Sequence, residues 1–384
     1  MKFVIAPDSF KESLDSFQAA EAIKKGISKI FKDACIEMIP MADGGEGTLK
    51  VIINNAGGEF RTVDVTGPLK EKISCSYGYI PKEKKAVIEI AEVCGLNLIP
   101  VNQRNPLFTT TCGVGELILD ALDYGAKHII VGLGGSSTND GGLGMLQALG
   151  VKAYDKDDKI IGLGGNELNK IFRIDMSGID KRLTSTVIEA ACDVENPLIG
   201  VNGATYTFGP QKGADDKTIK ILEDGMINYN AVIKKACGLD FAYIPKAGAA
   251  GGLGAALMIL GCKLRRGIDM VIDNTNFEDR IKDSNYVFTG EGSIDSQTKY
   301  GKTISGIARC CKKYNVPVIA LAGRVGKDID ELYDIGVTAV FGIVDQAKSL
   351  DDALKDGYTS LEKTSENAAR LIYTILGHKV PLDF

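Results

Sequence analysis

Histidine is close to absent from this chain, with His128 and His378 the only two in 384 residues. His128 opens an apolar run and His378 lies near the C-terminus, both places for structural or solvated side chains. Histidine-based zinc sites, Ser-His-Asp hydrolysis and histidine phosphotransfer therefore drop out as function classes. The nine cysteines include no C-x-x-C pair. Their odd number, with no secretory signal, predicts reduced thiols in a cytoplasmic protein, most of them small core side chains. Lysine and arginine cluster no further than pairs such as Lys24-Lys25 and Arg265-Arg266, and the net charge is −5, so nucleic acid has no electrostatic footprint. The longest uncharged stretches, 196–211 and 247–262, are broken by glycines. They fall short of the roughly 20 residues that cross a membrane. Residues 1–7 read as a strand entering a loop rather than a leader.

Glycine is plentiful, at 45 residues, which marks places where the backbone approaches something closely. The densest run is Gly132-Leu133-Gly134-Gly135-Ser136-Ser137-Thr138-Asn139-Asp140-Gly141-Gly142, between the apolar strand 128–131 and a helical pattern at 143–149. It reads as a phosphate cradle: glycines admit an anion, hydroxyls add donors, and the helix turns its positive end to the ligand. Asp140 suits a metal bridging phosphates. Neither common glycine motif is present. Gly132, Gly134 and Ser137 miss the third glycine of G-x-G-x-x-G, and before Gly301-Lys302-Thr303 the first glycine of a Walker loop is replaced by Ser296. The plain alternative is a flexible strand-to-helix turn without a ligand.

The length suggests two domains. A strand at 3–6, a capping pair Asp15 and Gln18 before a helix, and a strand at 35–39 form one βαβ unit. Strands at 286–288, 316–321 and 339–343, with helices at 304–314 and 328–333, form βαβαβ at the other end. Their apolar runs are continuous, as in a buried parallel sheet. Between them, strands at 62–65, 73–80 and 85–90 are spaced for antiparallel pairing. A helix over 216–237 carries a core stripe from Ile219 to Ala236 and ends at Gly238. The prediction is an α/β protein. A Rossmann-like parallel-sheet domain is built from both chain ends (1–60 plus 280–384), with a second, inserted α/β domain (61–279) that carries glycine-rich loops.

Several further loops follow strands and carry charge. Pro7-Asp8-Ser9-Phe10-Lys11 sits where open α/β sheets bind ligands; Lys11 can neutralise a carboxylate or phosphate, and Asp8 can bind a cation. Asp43-Gly44-Gly45-Glu46-Gly47 packs two carboxylates among glycines. Lys212 lies in the turn Gly209-Pro210-Gln211-Lys212-Gly213, and Lys246 opens a second anion-type loop with Gly251 and Gly252. Gly290-Glu291-Gly292 leads to Asp295. Asp, Glu, Lys, Ser and Thr with glycine backbone are the set that phosphoryl transfer with Mg²⁺ requires, including an Asp that takes a hydroxyl proton late in the reaction.

Together these loops resemble the glycerate kinase family, bacterial type. The matching stretches are 6–14, 41–48, 132–144, 192–198, 208–214, 248–255 and 290–297, in order along nearly the whole chain. The resemblance implies transfer of the γ-phosphate of ATP to D-glycerate with Mg²⁺, favouring 2-phosphoglycerate. From residue chemistry, Asp193 is then the base. Lys11 and Ser9 lie near the glycerate carboxylate or the transferred phosphate. Asp8, Lys11 and Asp193 form the catalytic set, with Asp43, Glu46 and Asp295 around magnesium. Gly134, Gly135, Ser136, Ser137, Thr138, Lys212, Lys246, Gly251 and Gly252 hold phosphate oxygens. The expected partners are ATP and D-glycerate, with no nucleic acid and no membrane; a homodimer stays open. Three alternatives also stay open: a 3-phosphoglycerate-forming or other hydroxy-acid kinase; a kinase resembling the GHMP group, which explains only the loop at 132–137; and a non-catalytic nucleotide-binding regulator, which leaves the carboxylates without a task.

Overall fold

The computed structural model describes residues 1–45, 47–296, 298 and 302–377. Glu46, Gln297, Gly301 and His378, singled out in the sequence, lie outside that set. The chain forms β1 (Lys2–Ile5), β2 (Cys35–Met38), β3 (Glu59–Thr66), β4 (Lys72–Ile80), β5 (Lys85–Glu89), β6 (His128–Gly132), β7 (Lys152–Tyr154), β8 (Arg173–Asp175), β9 (Val187–Ala191), β10 (Lys263–Arg265), β11 (Tyr286–Ile294), β12 (Val318–Val325) and β13 (Val337–Gly342). It divides into two compact units: Met1–Asp43 with the chain from Ile268 onward, and Gly44–Gly267.

Unit 1 is a five-stranded sheet in the order β13-β12-β11-β1-β2, parallel throughout. The helix Ser16–Ser28 returns the chain from β1 to β2, and its start is the expected capping box, with Asp15 and Gln18 each bonding the other's backbone N–H. It shares one face of the sheet with the helix Gly357–Ile375, around Phe3, Ile23, Phe288 and Ala369. The two helices approach closely at Gly26, where a Cβ would stand 2.3 Å from Glu362 O. On the other face Ile304 and Ala308 of the helix Thr303–Lys313 meet Ile294, Ala320 and Ala322. From β1 the chain steps to β2 on one side, and from β11 it steps away to β12 and β13 on the other. The boundary between β1 and β11 is therefore a topological switch point, with ligand space at its carboxyl end.

β11 runs to Ile294, well beyond the strand at 286–288 read from sequence. Gly290 and Gly292 suggested a loop. The backbone of β12 crowds this position, and a Cβ on Gly290 would stand 2.4 Å from Leu321 O, so glycine is what lets the ladder continue.

Unit 2 holds a six-stranded sheet in the order β10-β9-β6-β5-β4-β3. β5, β6, β9 and β10 run parallel, while β3, β4 and β5 pair antiparallel as their spacing predicted. The helix Asp216–Cys237 is capped by Asp215 and ends at Gly238 in the left-handed conformation. It buries Leu222, Met226, Tyr229 and Ile233 against the core. The units divide at 43/44 and 267/268 rather than at 60/61 and 279/280. The helix Thr48–Ala56 packs on β4, where a Cβ on Gly78 would meet Ile53 Cγ1 at 2.2 Å, and Ile268 packs on Gly306 of unit 1. Among the described residues no helix is long and apolar enough to cross a membrane, and the nine cysteines are free thiols.

Candidate functional site

In unit 1 the chemistry gathers at the carboxyl ends of the strands beside the switch point. Asp8 lies just beyond β1, fixed alongside β11 by its backbone N–H, which donates to Gly290 O at 2.8 Å. Its side chain is buried. Oδ1 accepts the Ser9 N–H at 2.6 Å and Oδ2 accepts the Thr303 hydroxyl. Burial, then the charge of Asp43, pushes the carboxyl up to about 6, against the pull of the Thr303 and Ser9 hydrogen bonds. Glu291 on β11 is pushed up to about 7 by burial, with Asp8 and Asp43 adding to the effect; Lys302 and a 3.2 Å hydrogen bond from Thr298 oppose it. Carboxyl groups from three strand ends thus repel one another where water is largely excluded.

Ser9 is half-buried beside Asp8, and Lys11 is exposed on the same loop, its backbone passing over Gly292. Asp295 follows β11, its N–H bonded to Thr298 Oγ1 at 3.1 Å, and lines a hollow with Arg324 and Lys327. Among the described residues no group of three His, Cys, Asp or Glu could hold a metal by itself. Of the predicted metal set Asp43 and Asp295 are described, while Glu46 lies outside the described residues.

In unit 2 the loop 132–142 leaves the carboxyl end of β6 as predicted, but its parts serve differently. Asp140 is fully buried. Its carboxylate accepts the Thr111 N–H at 2.8 Å, the Thr111 hydroxyl at 3.0 Å and the Gly142 N–H at 3.0 Å. Leu143 N–H goes to Asp140 O, and Met145 N–H goes to Thr111 Oγ1. The anion at the positive end of the helix Leu143–Ala148 is thus the protein's own. The expectation of a phosphate at that helix start and a metal on Asp140 is corrected: Asp140 clamps the loop.

The tip of the loop stays open. Ser137 is turned inward, with its N–H and hydroxyl both bonded to Cys94 O, and Thr138 is buried. The N–H groups of Gly134, Gly135 and Ser136 have no acceptor among the described residues, and Gly134 and Gly135 are the part of the loop that meets solvent. Consecutive unpaired N–H groups of this kind suit an anion. Lys212 braces the loop from within, donating to Ser136 Oγ at 2.9 Å and Thr138 O at 2.7 Å. Burial pushes its ammonium down to about 8.

The second glycine loop is occupied by protein. A Cβ on Gly251 would stand 2.0 Å from Thr138 O, and one on Gly252 would stand 2.7 Å from Gly141 Cα. Gly251 O accepts the Gly141 N–H at 3.0 Å. These glycines let two loops interlock, which accounts for them without a phosphate. Lys246 spends its ammonium on Glu195 at 2.9 Å and Cys192 O at 3.2 Å. Asp193, after β9, is exposed, and its Oδ1 accepts the Gly267 N–H at 3.0 Å. His128 pairs with Glu189 at 2.9 Å, and Arg265 holds the other carboxylate oxygen, a structural group at the start of β6.

Glu291 and Thr303 were not among the sequence-predicted site residues. Gly290-Glu291-Gly292 is too short a motif to stand out, and a register that puts Glu291 beside Asp8 exists only once β1 and β11 pair.

A family model described as the glycerate kinase family matches residues 3–373. The glycerate 2-kinase of Escherichia coli K12 is 49% identical over 370 residues, covering 96% of this chain and 97% of its own. The glycerate kinase of Halalkalibacterium halodurans is 47% identical over 367 residues, covering 95% and 97%. A crystal structure from Salmonella typhimurium LT2, of a candidate glycerate kinase 2, matches with a TM-score of 0.89 at 44% identity, covering 98% of this chain and 99% of that one. With matches of this extent and identity, the chain belongs to the glycerate kinase family.

Proposed function

We propose that the protein transfers the γ-phosphoryl group of ATP to the 2-hydroxyl of D-glycerate, giving 2-phospho-D-glycerate and ADP. The observation that carries this reading is the convergence of Asp8, Asp43 and Glu291 at the switch point of unit 1, in a chain similar over its length to named glycerate kinases. Phosphoryl transfer asks the protein mainly to position reactants and neutralise charge.

Mg²⁺ fits the residues present. It is commonly held by one or two carboxylates together with substrate phosphates, so a three-carboxylate cage is not required. Burial raises the Asp8 and Glu291 carboxyls, with neighbouring carboxylates adding to it, so both groups would gain from a cation that replaces lost solvation. Asp8 and Asp43, with Glu291 beside them, would hold the ion, which when bound would neutralise phosphate charge. Thr303 fixes the Asp8 carboxylate, and Thr298 fixes Glu291. The N–H groups of Gly134, Gly135 and Ser136 bind phosphate oxygens, and Lys212 keeps that tip in shape through Ser136. Lys11 adds a mobile positive charge at the end of β1. Asp193, oriented by the Gly267 N–H, takes the proton of the acceptor hydroxyl. The same reading takes ATP and D-glycerate as partners in the cytoplasm, with no nucleic-acid partner.

ADP release measured with and without D-glycerate tests it. Release that depends on D-glycerate supports the proposal; release only with another hydroxy acid, or none with any, overturns it.

A further inference from the structure

The carboxyl ends of β11 and β12 carry an open hollow of about 500 Å³, walled among the described residues by Asp295, Ser296, Arg324, Val325, Gly326, Lys327 and Asp328. It lies on the carboxyl edge of the parallel sheet, the edge where such sheets bind ligands, one strand away from the switch point between β1 and β11. Arg324 stands opposite Ser293 in the β11–β12 ladder, so its backbone is set by a strand rather than by a loop. Arg324 and Lys327 are both exposed, and neither forms an ion pair among the described residues. Asp295 abuts the turn that follows, since a Cβ on Gly326 would stand 3.1 Å from Asp295 Cβ.

Thr298 ties the hollow to the acidic cluster. It is fully buried, accepts the Asp295 N–H at 3.1 Å and donates to Glu291 Oε1 at 3.2 Å. The charges of the wall decide the ligand class. Among the described residues two cations and two carboxylates offer little net attraction to a polyphosphate, and Val325 is the one apolar side chain in the described wall, too small a face to stack a nucleobase. A small acid bearing hydroxyl groups matches them: its carboxylate suits a guanidinium fork, and its hydroxyls donate to a carboxylate.

We infer that this hollow receives the hydroxy-acid acceptor, with Arg324 pairing to its carboxylate and Asp295 accepting hydrogen bonds from its hydroxyls. The inference rests on the kinase reading above and locates the acceptor within unit 1.

The test compares the full-length protein with Arg324→Gln, Arg324→Lys and Asp295→Asn in the ADP-release assay, alongside calorimetric titration of each with D-glycerate alone. Losing a charged hydrogen-bonding partner predicts a KM for D-glycerate raised about 10- to 100-fold in Arg324→Gln. The KM for ATP should stay within about twofold, and Arg324→Lys should recover only part of the loss, because an ammonium cannot pair as a fork. Calorimetry should show D-glycerate bound by the wild type and lost in Arg324→Gln. A KM for D-glycerate in Arg324→Gln within about twofold of wild type overturns the inference, as does equal binding to both proteins or none to the wild type. Binding that depends on Arg324 without turnover of D-glycerate would sink the kinase reading and leave the hollow as an acid-binding site.

Discussion

The carboxylate of Asp140 takes both the backbone N–H and the hydroxyl of Thr111, at 2.8 and 3.0 Å, in a fully buried setting. Thr111 in turn accepts the Met145 N–H, so one acid organises the start of a helix and the loop before it. Asp140→Ala would leave several buried donors unpaired. We expect a loss of about 3 kcal/mol or more of stability by chemical denaturation, and a small loss would show that the loop has another anchor.

Gly251→Ala should be as damaging for a different reason. The added Cβ would meet Thr138 O at 2.0 Å, at a φ of +69° that side chains rarely adopt. Strain and overpacking together predict about 2–4 kcal/mol of destabilisation. Gly135→Ala, at φ +72° but with Ala91 Cβ 3.3 Å away as its nearest neighbour, should cost about 1 kcal/mol.

The acidic cluster lowers stability at neutral pH. In the fold Asp8 binds its proton more tightly than in the unfolded chain, at about 6 rather than 3.8, and Glu291 at about 7 rather than 4.5. The folded state therefore holds more protons across that window, and stability falls as pH rises from about 4 to 7. Asp8→Asn and Glu291→Gln should flatten this dependence and unfold later than wild type at pH 7.5, by about 1–3 kcal/mol, while losing most turnover. Mg²⁺ should raise the wild-type Tm more than that of Asp8→Asn. Variants less stable than wild type at pH 7.5 would contradict the view that burial of these charges opposes folding.

Lys212 contributes in the opposite sense. Its ammonium titrates at about 8 rather than 10.5, so its burial opposes folding at pH 7, and that opposition fades as pH rises from 8 to 10.5. In Lys212→Met the relief of that opposition and the loss of the bonds to Ser136 and Thr138 offset each other, so stability at pH 7 should change little while the KM for ATP rises about tenfold. A KM for ATP that does not move would place the loop tip outside nucleotide binding.

Asp193→Asn should retain wild-type stability, since the exposed side chain keeps an oxygen for the Gly267 N–H. Loss of the base predicts a fall in kcat of about 10²-fold or more, and near-normal turnover would move that role to another carboxylate.

Much of the fold was legible because local signals and burial agreed. Asp15 and Gln18 marked a helix start, continuous apolar runs marked buried parallel strands, and the stripe at 216–237 marked a core helix. The unit boundaries were not, because the helix Thr48–Ala56 is drawn to β4 by contacts made only after folding. Within the candidate site, glycine was an ambiguous sign. Gly134 and Gly135 present bare N–H groups to solvent, whereas Gly251 and Gly252 are small so that another loop can pass, and the two pairs look alike in sequence. Asp140 resembled a metal ligand because its partner Thr111 lies 29 residues earlier. Glu291 gave only the short Gly290-Glu291-Gly292 signal, and its place beside Asp8 came with the pairing of β1 and β11.

The most direct test of the central claim follows the product. The purified protein with ATP, Mg²⁺ and D-glycerate is coupled to enolase, which consumes 2-phosphoglycerate and not the 3-phosphate, while ADP is read in parallel. The account predicts enolase flux equal to ADP formed. ADP formed without enolase flux would assign the phosphate to another hydroxyl or acceptor, and the absence of D-glycerate-dependent ADP would contradict the kinase itself.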